Sequence, residues 1–520
     1  MDQWSGIVAV ESLPKALFGV RLWHNTASPM KTPLLCLLVL ALGVRPLPAA
    51  EPESGASLEG RWLGTVRASE NQVTEIGFAL QRAADGKLHL RFHMPAMHVF
   101  DVDVGPVVPA GGVVDFPPLD VRLVIAGDRL TGTFAKAGLP IEARRCQKFE
   151  PAPPPPDYAA GPAPLWSHPL GAGAWASPVV QDGLVYLGTI DGRFHALRAA
   201  DGMPVWDWTG PNPIYGTALV TADRVCFLDS HSELVGLDRA EGTLRWHTPL
   251  HAGSAPENGS FNHRTAVPII DGNVIFVGSA DGAAYALDAG TGAVRWRQDV
   301  GAPIYARATI DGDRIWFASF AGAVLALDRA TGREITRFRL PGPVVSAPIL
   351  VGGILVEGCR DYMLYGIKPA DGTTAWRYSY WFSWVESTPA LSDGLAYIGA
   401  SDFSRITAFT PATGGVAWST DVHGMSWGTP LVTRDTVYAG TAGQRDALIR
   451  HQGALVALDR SSGAVRWSIP VHPAPGAPIF GYAGSPAESG SAIIAAAVDG
   501  MIAAYPAATP PAKPGGQGGA

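Results

Sequence analysis

Three histidines near residue 90 are the first candidates for chemistry, because imidazoles are common metal ligands. His89 and His93 lie four residues apart, and His98 follows closely. In an extended strand, His89 and His93 share one face with Lys87 and Arg91. Cationic neighbours repel a metal ion. We therefore expect no metal site and interpret these histidines as part of a polar strand face.

The cysteines exclude several redox and metal sites. The chain has four of them, Cys36, Cys146, Cys226 and Cys359, with no Cys-x-x-Cys pair and no Cys-x-x-Cys-His. These spacings exclude a thioredoxin-like site, a zinc ribbon and a covalently attached haem. Cys226 and Cys359 lie within apolar, strand-like runs, so we predict that they are buried as small hydrophobic residues.

A third group of residues combines aromatic rings with a few charges. The segment Tyr380-Trp381-Phe382-Ser383-Trp384 carries four rings in five residues. Trp and Tyr rings are common anchors in protein interfaces and for flat ligands. We predict a partner-binding surface formed by Tyr380, Trp381, Phe382, Trp384, Trp427, Arg264, Arg307 and Glu386. The alternative is that individual rings pack in the core.

Composition limits the fold and the partners. The chain of 520 residues contains 61 Gly and 44 Pro, which excludes a helical bundle or a coiled coil. Only 16% of the residues are charged, the net charge is −7, and there is no basic run. A nucleic-acid partner is therefore not expected.

The N-terminal residues 1–50 contain a predicted leader. Residues 30–50 begin Met-Lys, continue through an apolar run of about ten residues and end at Ala49-Ala50, as in a secretory signal peptide. Whether translation starts at Met1 or Met30 stays open. Since no other run reaches membrane-spanning length, we expect no transmembrane segment after leader removal and a periplasmic or secreted protein.

Two regions precede the main body of the chain. Residues 56–150 alternate apolar and polar side chains over several short strands, which predicts a small antiparallel barrel or sandwich. The Pro-rich residues 151–164 predict a stiff, extended spacer. At the other end of the chain, we expect residues 507–520 to form a disordered tail.

Residues 165–506 repeat with a period of about forty residues, which is typical of propeller blades. Each copy has an Ala-Leu-Asp-like strand end and a turn Gly, such as Gly292 or Gly463, four residues before a final Trp. We predict that the Gly adopts the positive φ of the turn and that the Trp wedges against the next blade. The predicted wedges are Trp166, Trp206, Trp246, Trp296, Trp376, Trp418 and Trp467. One copy has Thr336 in the place of the Trp.

The number of copies predicts a closed ring. Seven copies are complete, and an eighth, beginning at Tyr482, stops before its last strand. Trp166 lies forty residues before Trp206 and is the end of a strand without a copy of its own. This strand can complete the eighth copy, so that no sheet edge is left open. The sequence therefore predicts an all-β chain with an eight-bladed propeller.

The motif Ala-x-Asp-x-x-Thr-Gly-x-x-x-Trp resembles the repeat of the pyrroloquinoline quinone (PQQ)-like propeller family. That family includes quinone-dependent dehydrogenases and non-enzymatic scaffolds, among them the propeller lipoprotein of the outer-membrane protein assembly complex. For a dehydrogenase, the resemblance implies adjacent cysteines, a Glu and an Asn on calcium, and an Asp base. Glu386, Asn262 and Asp421 have the right types, but no motif surrounds them. We expect no cofactor; PQQ with calcium belongs only to the dehydrogenase alternative.

Loop lengths predict which face binds. The A–B and C–D turns are uniformly tight, whereas the insertions at 251–264, 440–453 and 470–481 fall in D–A or B–C loops on the other face. We interpret the chain as an exported, non-enzymatic scaffold that binds a protein partner in the cell envelope through this D–A/B–C face. A propeller that binds carbohydrate or another small ligand is the first alternative, and a PQQ-dependent dehydrogenase is the second.

Overall fold

The computed structural model describes residues 58–134, 138–154, 156–251, 265–444, 449, 451–473 and 477–507. The described residues form two compact units, one up to Pro153 and one from Pro154 onward. The predicted leader, residues 508–520 of the predicted tail, and Arg264 lie outside these residues. No helix in the described ranges is long and apolar enough to cross a membrane.

The first unit is a single eight-stranded antiparallel sheet in the order β4-β3-β2-β1-β8-β7-β6-β5. Its strands are β1 Gly60–Ser69, β2 Gln72–Arg82, β3 Leu88–Met94, β4 Val99–Pro106, β5 Val113–Phe116, β6 Val121–Ala126, β7 Arg129–Phe134 and β8 Leu139–Cys146. Short 3₁₀ helices span Pro95–Met97 and Pro117–Leu119. The sheet curls around Trp62, Phe78 and Phe92, which are fully buried. The predicted antiparallel module is thus one curled sheet.

His93 is not on a polar face, so that part of the strand prediction is wrong. Its side chain is fully buried, and its ring stacks on Phe149 at 4.5 Å and meets Phe100 edge-on at 5.9 Å. Burial lowers the pKa of His93, although Glu75 opposes this effect. Strict alternation fails here because aromatic residues outside the strand cover its second face.

The described residues of the second unit form eight antiparallel blades, each with four strands in the order A-B-C-D, and blade seven has a fifth strand outside this order. Blades one to four are Val179–Gln181, Leu184–Gly188, Arg193–Arg198 and Pro204–Thr209; Leu219–Val220, Arg224–Leu228, Glu233–Asp238 and Leu244–Pro249; Ile269–Asp271, Val274–Gly278, Ala283–Asp288 and Val294–Asp299; and Thr309–Asp311, Arg314–Ala318, Ala323–Asp328 and Glu334–Arg339. Blades five to eight are Ile349–Val351, Ile354–Gly358, Met363–Ile367 and Thr374–Ser379; Ala390–Ser392, Leu395–Gly399, Arg405–Phe409 and Val416–Asp421; Leu431–Val432, Thr436–Gln444, Gly453–Asp459 and Val465–Val471; and Ala487–Ser489, Ala492–Ala496, Met501–Pro506 and Trp166–Pro169. The eight-bladed propeller predicted from the sequence is confirmed.

The ring closes as predicted. Strand Trp166–Pro169 pairs antiparallel with Met501–Pro506, with Trp166 opposite Ala504. Next to the axis, the Ser485 N–H donates a hydrogen bond of 2.9 Å to Ser177 Oγ, which joins blade eight to blade one. The closing strand therefore leaves blade eight with the same four strands as the others.

The repeated Trp rings lie against the turn glycines of the next blade. Gly463 has φ +73°, and a Cβ built on it would lie 2.5 Å from the Trp418 ring; Gly292 has the same relation to Trp246. Most of the indole N–H groups also donate to a carbonyl of that next turn, as Trp418 does to Arg460 at 3.0 Å. Three of the rings are 8–9% exposed, namely Trp206, Trp418 and Trp467. Four are partly exposed, namely Trp166, Trp246, Trp296 and Trp376.

Blade four lacks the Trp but keeps the wedge. Thr336 and Phe338 lie on the same side of their strand, two residues apart. A Cβ built on Gly372 in blade five would lie 2.6 Å from Phe338. Phe338 therefore supplies the ring that Thr336 lacks, two residues further along the strand and on the same side of it.

Part of the predicted spacer is paired with the propeller. Ala160 bridges Ser468 in the D strand of blade seven. The Ser468 N–H donates to Ala159 O at 3.0 Å, and the Gly161 N–H donates to Ser468 O at 3.1 Å. The predicted extended spacer thus does more than separate two regions, because residues 159–161 cover the outer edge of a blade.

The predicted B–C insertion of blade seven begins as a strand. Its strand B continues to Gln444, beyond the predicted loop start at Gly440. An extra strand, Ile479–Gly481, pairs with this extension, with Gly481 opposite Ala442. Residues 445–448 of the insertion lie outside the described residues.

Candidate functional site

The aromatic and charged candidates lie around the innermost strands. The A strands of neighbouring blades contact each other in blades one and eight, four and five, and six and seven. They therefore surround the propeller axis. Because each blade is antiparallel in the order A-B-C-D, all D–A and B–C loops lie on one face. This face carries the candidate site.

Arg360, in the B–C turn of blade five, is at the centre of the site. Its guanidinium lies between two rings, 4.3 Å from the Trp384 centroid and 5.0 Å from that of Phe320. Its Nε donates to Glu386 Oε1 at 2.6 Å. Both charged side chains are buried, Arg360 to 8% exposure and Glu386 to 5%. The ion pair and the two cation–π contacts fix these side chains and neutralise the Glu386 carboxylate.

Contacts extend from this centre to both sides. Towards blade seven, the Ser401 N–H donates to Trp384 O at 3.3 Å, and the Trp427 indole N–H donates to Ser401 Oγ at 3.0 Å. Trp427 in turn stacks on Trp175 of blade one, with centroids 6.1 Å apart and ring planes 14° from parallel. Towards blade four, Phe320 meets Tyr305 edge-on at 5.5 Å.

We call this set the rim network: Trp175, Tyr305, Phe320, Arg360, Trp384, Glu386, Ser401 and Trp427. Every member comes from a D–A or B–C loop, and together they span blades four to seven and blade one. Four of the rings are partly exposed, those of Trp175, Phe320, Trp384 and Trp427. The network is therefore a fixed, partly exposed aromatic surface with an internally compensated charge.

Asp402 adds a titratable group beside this network. It lies in the B–C turn of blade six, next to Ser401. Burial raises the pKa of Asp402 from 3.8 to about 6, and the nearby Glu386 charge adds to this effect. The face consequently gains one negative charge as the pH rises through about 6.

The four rings of the predicted aromatic anchor, residues 380–384, differ in their exposure to solvent. Tyr380 is fully buried, with its ring edge-on to Tyr378 at 5.3 Å and to Phe403 at 6.0 Å, and Trp381 is only 5% exposed. Phe382 and Trp384 are partly exposed. The prediction that Tyr380 and Trp381 contact a partner is wrong, because these rings fill the space under the loop.

Arg307 differs from the other predicted charges. It lies just before the innermost strand of blade four and is exposed to solvent. Surrounding protein nevertheless lowers the pKa of Arg307 through desolvation. Glu386, predicted as a partner-binding group, is instead bound to Arg360.

Sequence reasoning missed Arg360, Phe320 and Asp402. All three occupy B–C turns, whereas each copy was read for the Gly of its C–D turn and the Trp of its last strand. Arg360 occupies the turn position that corresponds to Phe320 in blade four. A charge at a position that is apolar in the neighbouring copy is the signal that could have identified it.

The described residues do not fit the calcium–quinone site that the resemblance implies. Glu386, the candidate calcium ligand, is held by Arg360. Cys226 in blade two and Cys359 in blade five are fully buried, unbonded thiols, as predicted, and burial raises the pKa of Cys226 to about 12. They cannot form the disulfide between adjacent cysteines. Asn262 lies outside the described residues.

Comparison with solved structures supports the fold. BamB from Moraxella catarrhalis superposes with a TM-score of 0.52 and 16% sequence identity, covering 66% of this chain and 99% of that chain. A quinohemoprotein alcohol dehydrogenase from Comamonas testosteroni superposes with a TM-score of 0.52 and 14% identity, covering 68% of this chain and 78% of that chain. At these identities the similarity shows the propeller fold alone.

Comparison of sequences is more specific. The outer membrane protein assembly factor BamB of Yersinia pestis is 24% identical over 258 residues, which is 47% of this chain and 63% of that relative's length. The PQQ_2 family, described as outer membrane protein assembly factor BamB, matches residues 159–285, 280–381 and 363–511. These segments cover more than half of the chain and contain all eight blades. The chain therefore belongs to the PQQ_2, BamB-type propeller family.

Proposed function

We propose that this protein is an exported, non-enzymatic scaffold that binds a protein partner through its D–A/B–C face and acts in outer-membrane protein assembly. The observation that carries the proposal is the rim network, a partly exposed aromatic surface on one face of a BamB-type propeller. Membership of that family supports a role in assembly. The leader predicted within residues 1–50 supports export to the periplasm.

The rim network has the physical properties of a binding hot spot. Its rings are immobilised before binding by stacking, by the Trp427–Ser401 hydrogen bond and by the Arg360 contacts. Prior immobilisation reduces the conformational entropy that an interface loses on binding. Aromatic anchors of this kind typically contribute about 2 kcal/mol or more each, which is about thirtyfold in affinity.

The proposal includes the absence of quinone catalysis. It is supported by the ion-paired Glu386 and by the separation of the two buried cysteines in blades two and five. The test is to incubate the purified protein with PQQ and calcium, and then to assay alcohols and aldoses with an artificial electron acceptor. Turnover with stoichiometric quinone binding would contradict this part of the proposal.

Partner binding can be tested by comparing two double variants. The rim variant replaces Trp427 of the rim network together with Phe382, a partly exposed ring two residues before Trp384. Tagged wild-type protein, this variant (Phe382→Ala with Trp427→Ala) and a control variant (Ile335→Ala with Leu391→Ala) are each incubated with a solubilised envelope fraction of the source cells. Ile335 and Leu391 are exposed apolar side chains outside the D–A and B–C loops. We expect the rim variant to lose most of the retained partner and the control variant to keep it. Circular dichroism and melting curves check that both remain folded, and equal retention by both variants would contradict the proposal.

A further inference from the structure

The run 157–161 is the part of the Pro-rich linker that can pair with the edge of a sheet. Prolines dominate the rest of residues 151–164, whereas this run contains none. Since proline has no backbone N–H, only such a run can form strand-like hydrogen bonds along its length. The run also carries Tyr158, the one aromatic residue of the linker. The groups that can dock the linker are therefore concentrated in five residues.

This run lies across the outer edges of two neighbouring blades. At blade six, the Tyr158 hydroxyl donates to the backbone oxygen of Asp421, the last residue of strand D, at 3.2 Å. At blade seven, the Ser468 N–H donates to Ala159 O at 3.0 Å, and Ser468 O accepts from the Gly161 N–H at 3.1 Å. The chain is therefore held at two points before it reaches blade eight.

Gly161 lies where no side chain has room. A Cβ built on it would overlap Ile469 and would lie 2.9 Å from the Trp467 ring. The φ of Gly161 is not positive, so this position requires a small residue for its space and not for its backbone conformation. Any larger residue must therefore lift the chain away from blade seven.

The strand that closes the ring follows directly. Trp166–Pro169 is the outermost strand of blade eight and pairs with one neighbour, Met501–Pro506. Short edge strands near the terminus of a domain are among the elements that open locally at low cost in free energy. Only residues 162–165 separate the closing strand from the docked run, and the Leu165 N–H already donates to Ala504 O at 2.7 Å.

We propose that residues 158–165 form a strap that holds the closing strand in blade eight. With the strap docked, the closing strand cannot separate from its neighbour as a free end, because the chain is held at blade seven a few residues earlier. Rebinding across such a short loop loses little entropy. Movements of the chain before residue 154 are therefore borne by the strap and not by the closing strand. This device concerns ring closure and does not depend on partner binding.

Hydrogen exchange followed by mass spectrometry of overlapping peptides tests the strap in the purified protein. The strap variant combines Tyr158→Ala with Gly161→Val, and Tyr158→Ala alone is a milder variant. The control is Ala163→Val, which enlarges an exposed side chain within the strap. Circular dichroism checks that each variant keeps the β structure of the propeller.

In wild type we expect a protected Ser468 amide, because it donates to Ala159 O of the strap. In the strap variant, this amide should exchange at least about tenfold faster, and the amides of residues 166–169 at least about fivefold faster. Tyr158→Ala alone should give smaller increases at both places. Strand Leu244–Pro249 of blade two should exchange as in wild type, and Ala163→Val should resemble wild type throughout.

Three results would overturn the proposal. Rapid exchange of the Ser468 amide in wild type would show that the strap is not docked. Unchanged exchange of residues 166–169 in the strap variant would show that the strap docks without holding the closing strand. Equal acceleration by Ala163→Val would show that the effect does not come from the contacts of Tyr158 and Gly161.

Discussion

Replacing Asp402 by Asn should stabilise the propeller at neutral pH and leave it nearly unchanged at pH 4. Burial and the Glu386 charge raise the pKa of Asp402 from 3.8 to about 6. Between these two values the carboxyl is protonated in the folded protein and ionised in the unfolded chain. The stability of the folded state therefore decreases as the pH rises through this window, and the full penalty is present above pH 6.

The size of the effect follows from the shift. Raising the pKa of Asp402 from 3.8 to about 6 lowers the free energy of unfolding at neutral pH by about 3 kcal/mol. Because Asp402 is partly exposed to solvent, we expect a smaller loss of about 1–3 kcal/mol. The entropy of unfolding is about 2 cal/mol/K per residue, which for a propeller of this size sums to about 0.7 kcal/mol/K. A change of about 0.7 kcal/mol in the free energy of unfolding therefore shifts the melting temperature by about one degree. The melting temperature of Asp402→Asn should consequently be about 1–4 °C above wild type at pH 7.5.

Scanning calorimetry of the propeller transition at pH 4 and pH 7.5 measures this difference. The control is Asp313→Asn, at an exposed aspartate in the A–B turn of blade four, for which we expect a change of less than about 0.5 kcal/mol in the free energy of unfolding. If Asp402→Asn shifts the transition equally at both pH values, or lowers it at pH 7.5, Asp402 is not the desolvated carboxyl described above.

Three further predictions concern the propeller itself. Gly463→Ala should lower the free energy of unfolding by about 2–4 kcal/mol, because the new Cβ would clash with Trp418 and the positive φ is unfavourable for Ala. Gly490→Ala, which has a positive φ but open space around it, should lower it by about 1 kcal/mol. Urea unfolding of the two variants measures both losses. Phe338→Ala should cost about 2–4 kcal/mol and Thr336→Ala less than about 1 kcal/mol, and a reversed order in calorimetry would show that Phe338 is not the wedge. Deletion of residues 164–170 should open the edges of blades one and eight and cause aggregation in gel filtration; a monomer that melts like wild type would contradict ring closure by this strand.

The propeller was predictable from the sequence because its determinants are local and repeated. The turn Gly and the wedge Trp lie four residues apart in six of the seven complete copies, and each copy forms one blade. The orphan strand at Trp166 predicted closure by simple counting. The shift from Thr336 to Phe338 was not visible, because the wedge is recognised by its contact with Gly372 of the next blade and not by its own sequence position.

The rim network could be predicted only in part. Aromatic density identified Trp384 and Trp427, but burial of Tyr380 and Trp381 depends on how the loop packs against Phe403 from another turn. Arg360 was missed because its partners come from loops far apart in the chain. Such contacts between blades have no fixed sequence spacing and become visible only when the ring is closed.

The most direct test of the scaffold function is site-specific photo-crosslinking in living cells. A benzoylphenylalanine replaces Phe382, in the D–A loop between blades five and six, or, as the control, the exposed Leu391 in the innermost strand of blade six. The account predicts a discrete cross-linked envelope protein from position 382 and none from position 391. Cross-links of equal intensity from both positions, or none from position 382, would contradict partner binding through the D–A/B–C face.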